Sequence, residues 1–184
     1  MEVVFNNNEQ NKKPMKKIIL SLLAALILIG CATTMENGVK LTKAERRAQQ
    51  IATVREVLDD RYYSVEIDMM HPQRYPSKQV SYGYSLNIHG DSIYSYLPYL
   101  GRAYRVPYGG GKALHFEALI DDYREGYDKD GLRRIEILTH NEEDRYLYIV
   151  EVFETGSASV YVSCENREHI HYTGEIDMDH KRRK

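Results

Sequence analysis

The sequence predicts a mainly β domain: an N-terminal helix followed by a small antiparallel meander barrel or a strongly curved sheet. Three observations carry that expectation. After Arg61 the apolar period changes from 3.6 residues to 2, with Tyr82, Tyr84, Leu86 and Ile88 set against Ser81, Ser85, Asn87 and His89. The alternating runs are short and are separated by turn chemistry, as at His89-Gly-Asp91, Asn141-Glu-Glu-Asp144, Glu154-Thr-Gly156 and Glu165-Asn-Arg167. One wet face per strand suits antiparallel pairing, and closure would remove exposed sheet edges.

The chain opens with a different kind of element. Lys16-Lys17 precede an uncharged apolar run of thirteen residues, Ile18 to Gly30. That run is shorter than the roughly 20 residues a membrane helix needs, and it has the length of a secretory signal core. Leu28-Ile29-Gly30-Cys31 resembles the bacterial lipobox, in which a small residue precedes the cysteine that is acylated and becomes the new N-terminus. Cys31 is therefore the expected lipid attachment site. Acyl chains acting together would hold the protein at a membrane, since one chain alone binds marginally. Ala32 rather than Asp follows the cysteine, which favours the outer membrane. Glu36 is the one acidic residue in the segment Thr33 to Val39, which favours a periplasm-facing anchor. The polar, Asn-rich stretch before Met15 is unlike a signal start, so Met15 is the expected initiation site.

The remaining elements follow in order. Residues 1–30 read as the export signal, 31–41 as a tether, 42–60 as an amphipathic helix, 61–179 as the β domain and 180–184 as a basic tail. Thr42 and Glu45 have the capping-box spacing. Ala44, Ala48, Ile51, Val54, Val57 and Leu58 form a narrow apolar stripe, and Asp59-Asp60 oppose the negative end of the helix dipole and should end it. Strands are expected at about 62–70, 80–89, 92–99, 102–107, 113–120, 132–139, 145–154, 157–163 and 168–176. Gly90-Asp91 supplies a hairpin turn, whereas Pro98 and Pro107 cannot donate to a ladder and mark strand ends or bulges.

Composition narrows the function classes. Beyond Cys31 there are 21 Lys and Arg against 25 Asp and Glu, so the domain lacks the basic footprint of a nucleic-acid protein. Lys181-Arg-Arg-Lys184 is the exception and reads as a solvated tail. With Cys31 committed to lipid, Cys164 is left without an intramolecular disulfide partner and reads as a small core residue. Gly109-Gly-Gly-Lys112 lacks phosphate-loop spacing and leads into a strand pattern. His169 and His171 share a strand face with Cys164 nearby, too few groups to assign a metal. Glu142-Glu-Asp144 and Asp121-Asp122 read as solvated loop charges rather than a glycosidase pair. No catalytic residue, cofactor or metal is assigned. The unusual feature is aromatic: sixteen tyrosines and no tryptophan. Tyr82, Tyr84, Tyr94, Tyr96, Tyr99, Tyr104 and Tyr108 make a candidate binding surface, although Tyr also fills sheet positions through its β-propensity alone.

The stretch Ser81 to Lys112, with its Gly90-Asp91 hairpin, Tyr96-Leu-Pro-Tyr99, Gly101-Arg-Ala-Tyr104 and Tyr108-Gly-Gly-Gly111, resembles the lipoprotein family of domain of unknown function 4251. Asn141-Glu-Glu-Asp144 and Gly156-Ser-Ala-Ser159 are similar to that family too. The resemblance spans roughly residues 43 to 175 and implies a barrel of lipocalin-like topology, with no activity attached. The functional expectation is a non-catalytic binding module anchored through acyl chains, with an envelope protein or glycan as partner. The alternatives are a lipocalin-like carrier of a small apolar ligand and, behind it, a hydrolase with a carboxylate site. Interior size discriminates the first two: bulky inward residues would fill a barrel of about eight strands, and small ones would leave a cavity.

Overall fold

A computed structural model of the chain describes residues 42–81, 83–105, 111–127 and 132–180. It contains helix α1 (Lys43–Asp59) and nine strands: β1 (Tyr62–Pro72), β2 (Lys78–Gln79), β3 (Ser85–His89), β4 (Ser92–Tyr96), β5 (His115–Tyr127), β6 (Arg133–His140), β7 (Arg145–Val152), β8 (Ser157–Cys164) and β9 (Ile170–Ile176). Each neighbour pair is antiparallel from β3 through β9, and β1 pairs with both β3 and β9. The result is a closed eight-stranded barrel, with β2 added on the distal half of β1 at Met69↔Gln79 and Met70↔Lys78. The mainly β, helix-then-barrel expectation holds, and of its two alternatives the closed form is the one observed.

Closure depends on a residue with no side chain. The β1–β9 register shifts between Ile67 and Met69, and Gly174 lies opposite the shift. A Cβ on Gly174 would sit 1.9 Å from the Glu66 carbonyl oxygen, so the seam has room for backbone alone.

Period-2 patterning delivers Val65, Leu86, Ile88, Ile93, Ile135, Ile137, Val150, Val160 and Val162 to the inside, each at most 1% exposed. The rings of Tyr63, Tyr146, Tyr148 and Tyr172 join them, also at most 1% exposed. Four buried phenols occupy a large share of a barrel this size.

The two ends are sealed differently. At one end α1 is capped by the predicted box: Glu45 N donates to Thr42 Oγ1 and Thr42 N donates to Glu45 Oε2. Val54, Val57 and Leu58 are buried, whereas Ala44 and Ala48 stay exposed, so only the C-terminal half of the expected stripe packs. At the other end two described stretches, Leu97 to Arg105 and Gly111 to Leu114, lie against the mouth. Over 102–105, the described part of the strand expected at 102–107, no strand is formed. Ala103 makes one isolated bridge to Arg167, and 106–110 lie outside the described residues. The expected strand at 80–89 is also shorter, because Gly83 (φ +107°) turns the chain out of the ladder before Ser85.

Candidate functional site

The residues flagged from sequence separate into three groups. Cys31, Tyr82 and Tyr108 lie outside the described residues. Tyr84, Tyr94 and Tyr96 stand on the outer wall: Tyr84 stacks on Tyr96 at 5.2 Å, Tyr96 meets His115 edge-on at 4.3 Å, and Tyr94 leans on His89 at 4.9 Å. Tyr99 and Tyr104 belong to the mouth segment. Tyr104 is 62% exposed, but Tyr99 is structural: its hydroxyl reaches the carbonyls of Arg102 (3.1 Å) and Glu168 (3.0 Å). Burial, with Cys164 and Glu168 nearby, pushes its phenol up to about 12. The Tyr belt is therefore a shared sequence stretch with divided roles.

The outer wall also carries a groove of about 540 Å³. Its floor is Ser64 and Glu66 of β1 with Ser85 and Asn87 of β3. One bank is formed by Gln79, Val80, Gly83 and Tyr84, and the other by Asp177 and His180 of the turn that follows β9. Topology explains the groove. Strand β1 hands its outer edge from β3 to β2, and at the hand-over Ile67 N donates to Tyr84 O and Val80 N to Asp68 O, both at 2.9 Å. The turn after β9 is pinned by Asp177 N to Ser64 O at 2.9 Å. Three carboxylates, Glu66, Asp68 and Asp177, line the groove together with the amides of Gln79 and Asn87; no Lys or Arg among the described residues does so. At its lip His89 lies flat on Tyr62 (4.3 Å, 12°), and His180, at the head of the segment read as a tail, stacks over the same ring at 5.3 Å. No sequence motif could have shown this, because Tyr62, His89 and His180 meet only through barrel closure.

The other chemical candidates are occupied structurally. Asp144 is buried and accepts from the backbone N–H groups of Arg145, Glu165 and Asn166, with Asn166 Nδ2 at 3.3 Å. Glu143 pairs with buried Arg167 at 3.0 Å and takes the Lys112 N–H at 2.8 Å. A carboxylate thus sits against Gly111 and Lys112, the described end of the Gly-rich run, where a phosphate would have to bind. Asp121 contacts His140 at 2.6 Å and Asp122 contacts Arg124 at 2.7 Å. Cys164 is partly buried at the mouth end, packed against the core, and burial followed by the nearby Asp144 pushes its thiol up to about 12. His171 is stacked between Tyr161 (4.1 Å) and His71 (4.9 Å). Its desolvation, and then His71, hold its imidazole below the ordinary range. Among the described residues no group of three or more His, Cys, Asp or Glu side chains is placed to share a metal ion. Nor is any described helix long and apolar enough to cross a membrane.

Sequence reasoning missed the tyrosines that matter most to the fold. Tyr172 OH donates to Pro98 O (2.7 Å), Tyr146 OH reaches Ala113 O (3.3 Å), and Tyr148 OH donates to Ser95 Oγ (3.0 Å), which donates to Leu114 O (2.8 Å). These inner phenols tether the segment that closes the mouth. Only the alternation of Tyr146 and Tyr148 along β7 hinted that they point inward.

Comparison with known proteins agrees with this architecture. The crystal structure of a DUF4251 family protein from Bacteroides eggerthii DSM 20697 is similar to the chain with a TM-score of 0.53 and 11% identity, over 70% of this chain and 87% of that one. At that identity the likeness concerns the fold. No curated protein gives a match. The model of the family described as domain of unknown function (DUF4251) matches residues 45–176, which bears out the resemblance read from the tyrosine- and glycine-rich stretch. The chain belongs to the DUF4251 family.

Proposed function

We propose that the chain is a lipid-anchored envelope module that does no chemistry and recognises a polar ligand, an uncharged or amine-bearing glycan, in the outer-wall groove. The observation that carries this reading is the division between inside and outside. The interior is filled by Tyr63, Tyr146, Tyr148, Tyr172 and aliphatic residues, and that filling weighs against a carrier of small apolar ligands. The groove offers ring edges, amides and hydroxyls with three carboxylates, a lining that repels anions and suits hydroxyl-rich or amine-bearing molecules. Anchoring through Cys31 at the outer membrane, facing the periplasm, rests on the lipobox and on the absence of Asp after it.

The test is an NMR titration of the full chain in detergent, read at the side-chain amides of Gln79 and Asn87. Neutral and amine-bearing oligosaccharides should shift both signals saturably, and carboxylated ones should not. No response to any of them, or shifts confined to the barrel interior, would remove the groove from the account. The anchor is tested separately, since Cys31→Ser should move the protein from membrane to soluble fractions.

A further inference from the structure

We propose that His89 and His180 form a two-ligand site for a borderline transition-metal ion, Zn²⁺ or one like it, on the outer wall of the barrel. The claim is independent of the glycan reading. It starts from a convergence: the two Nε2 atoms, 91 residues apart in the chain, point at each other across 2.8 Å. Two neutral imidazoles can approach so closely only if one nitrogen carries the hydrogen and the other a lone pair. That hydrogen bond is modest in net terms and is readily exchanged for metal bonds.

The surroundings prepare both rings as ligands. Asp177 Oδ2 lies 3.8 Å from His180 Nδ1, on the side away from His89. A carboxylate there favours the Nδ1–H tautomer and leaves the His180 Nε2 lone pair directed outward, the arrangement of a carboxylate behind a metal-bound histidine. His89 is held flat by Tyr62 and flanked by Tyr94, so its ring plane is fixed before any ion arrives. Zn–N bonds of roughly 2.0–2.1 Å at a tetrahedral angle place two nitrogens about 3.3 Å apart. The rings need to part by only about half an ångström, with His180 carried on a turn outside the ladder. Imidazole pairs select borderline ions over Mg²⁺ or Ca²⁺. Water completes the coordination, because among the described residues no third protein ligand is placed to join. The second imidazole pair is unlike this one. His71 and His171 stack face to face, and both nitrogens of His71 are taken by Ser77 and Thr173.

The experiment is calorimetric titration of ZnCl₂ into the chelator-stripped, untagged full chain, with imidazole ¹⁵N shifts read in parallel. The expected result is one equivalent bound, with the His89 and His180 nitrogens shifting and those of His71 unmoved. His180→Ala should weaken affinity by tenfold or more. His180→Gln, which can still hydrogen-bond to His89, should do the same while leaving the fold intact, separating ligation from a structural role. Asp177→Asn should cost roughly tenfold, and His71→Ala nothing. Absence of saturable binding up to about 1 mM, or affinity unchanged in both His180 variants, overturns the proposal.

Discussion

The two ends of the barrel bury charge differently: among the described residues one cation is buried at the helix end, and ions of both signs at the mouth. At the helix end, Arg133 is 3% exposed and its partners are not: Asp59 is 62% and Glu125 39% exposed, at 2.5 and 2.7 Å. The cation is buried while its counter-ions remain in water. At the mouth end carboxylates are buried as well, beside one buried cation, Arg167, which pairs with Glu143 at 3.0 Å. Asp144 and Glu168 are sunk among backbone N–H groups, with Arg74 reaching Glu168 from a largely exposed position and Arg102 offering its N–H at 3.0 Å. The helix end is closed by an element that satisfies its own backbone, so a single buried ion suffices. The mouth is closed by irregular chain, whose backbone donors must be answered one by one by side chains. Polar satisfaction therefore costs more residues where regular structure is missing, and the mouth should be the more fragile end.

Paired substitutions test that asymmetry most strongly. Asp144→Ala strands three backbone donors and should cost roughly 3 kcal/mol or more in urea unfolding. Arg133→Met leaves two hydrated carboxylates and an apolar stem in the same space, and should cost about 1 kcal/mol or less. The reverse order would break the comparison. A smaller effect is expected for Tyr172→Phe. It deletes the phenol bond to Pro98 O and should cost about 1 kcal/mol, with faster amide exchange confined to the mouth segment.

The acid response sharpens the contrast further. The Arg102 N–H, helped by Arg74, holds the Glu168 carboxyl below its ordinary value despite desolvation. A depressed carboxyl stabilises the fold above its unfolded pKa of about 4.3 and loses that contribution as pH falls through the lower, folded value. The stability gap between the wild type and Glu168→Gln should therefore be constant near pH 6 and shrink below about pH 4. A gap independent of pH would show that the carboxylate charge is not what Glu168 supplies. The smallest effect is chemical: Cys164, its thiol pushed up to about 12, should alkylate slowly at neutral pH in the native chain. Asp144→Ala should speed the reaction, and Arg133→Met should leave it unchanged.

The same asymmetry governs what could be read from sequence. β6 to β9 were legible to within about two residues, because strict alternation between Gly- and Asn-bearing turns leaves one register with the apolar set inside. The capping box was legible because it is local. The mouth was not. Tyr96 to Tyr108 alternates well enough to suggest a strand at 102–107, yet as far as Arg105 its backbone is answered by Tyr99, Tyr172 and Glu168 and by one isolated bridge rather than by a continuous ladder. Gly83 looked like part of a strand because a left-handed residue leaves no mark on the alternation of its neighbours. The candidate site was half legible. Tyr84, Tyr94 and Tyr96 do reach the outer wall, but the groove beside them is made by the β1–β9 closure, and Asp177 and His180 come from a stretch that sequence gave no reason to place there.

The central claim is that the barrel is filled by its own side chains and that recognition belongs to its outer surface. Native mass spectrometry of the full chain, released in detergent from the membranes of its own host, tests this most directly. The account predicts the mass of the polypeptide with its acyl groups and no retained apolar molecule. A discrete apolar compound that stays bound through desalting, and is lost on unfolding, would contradict it.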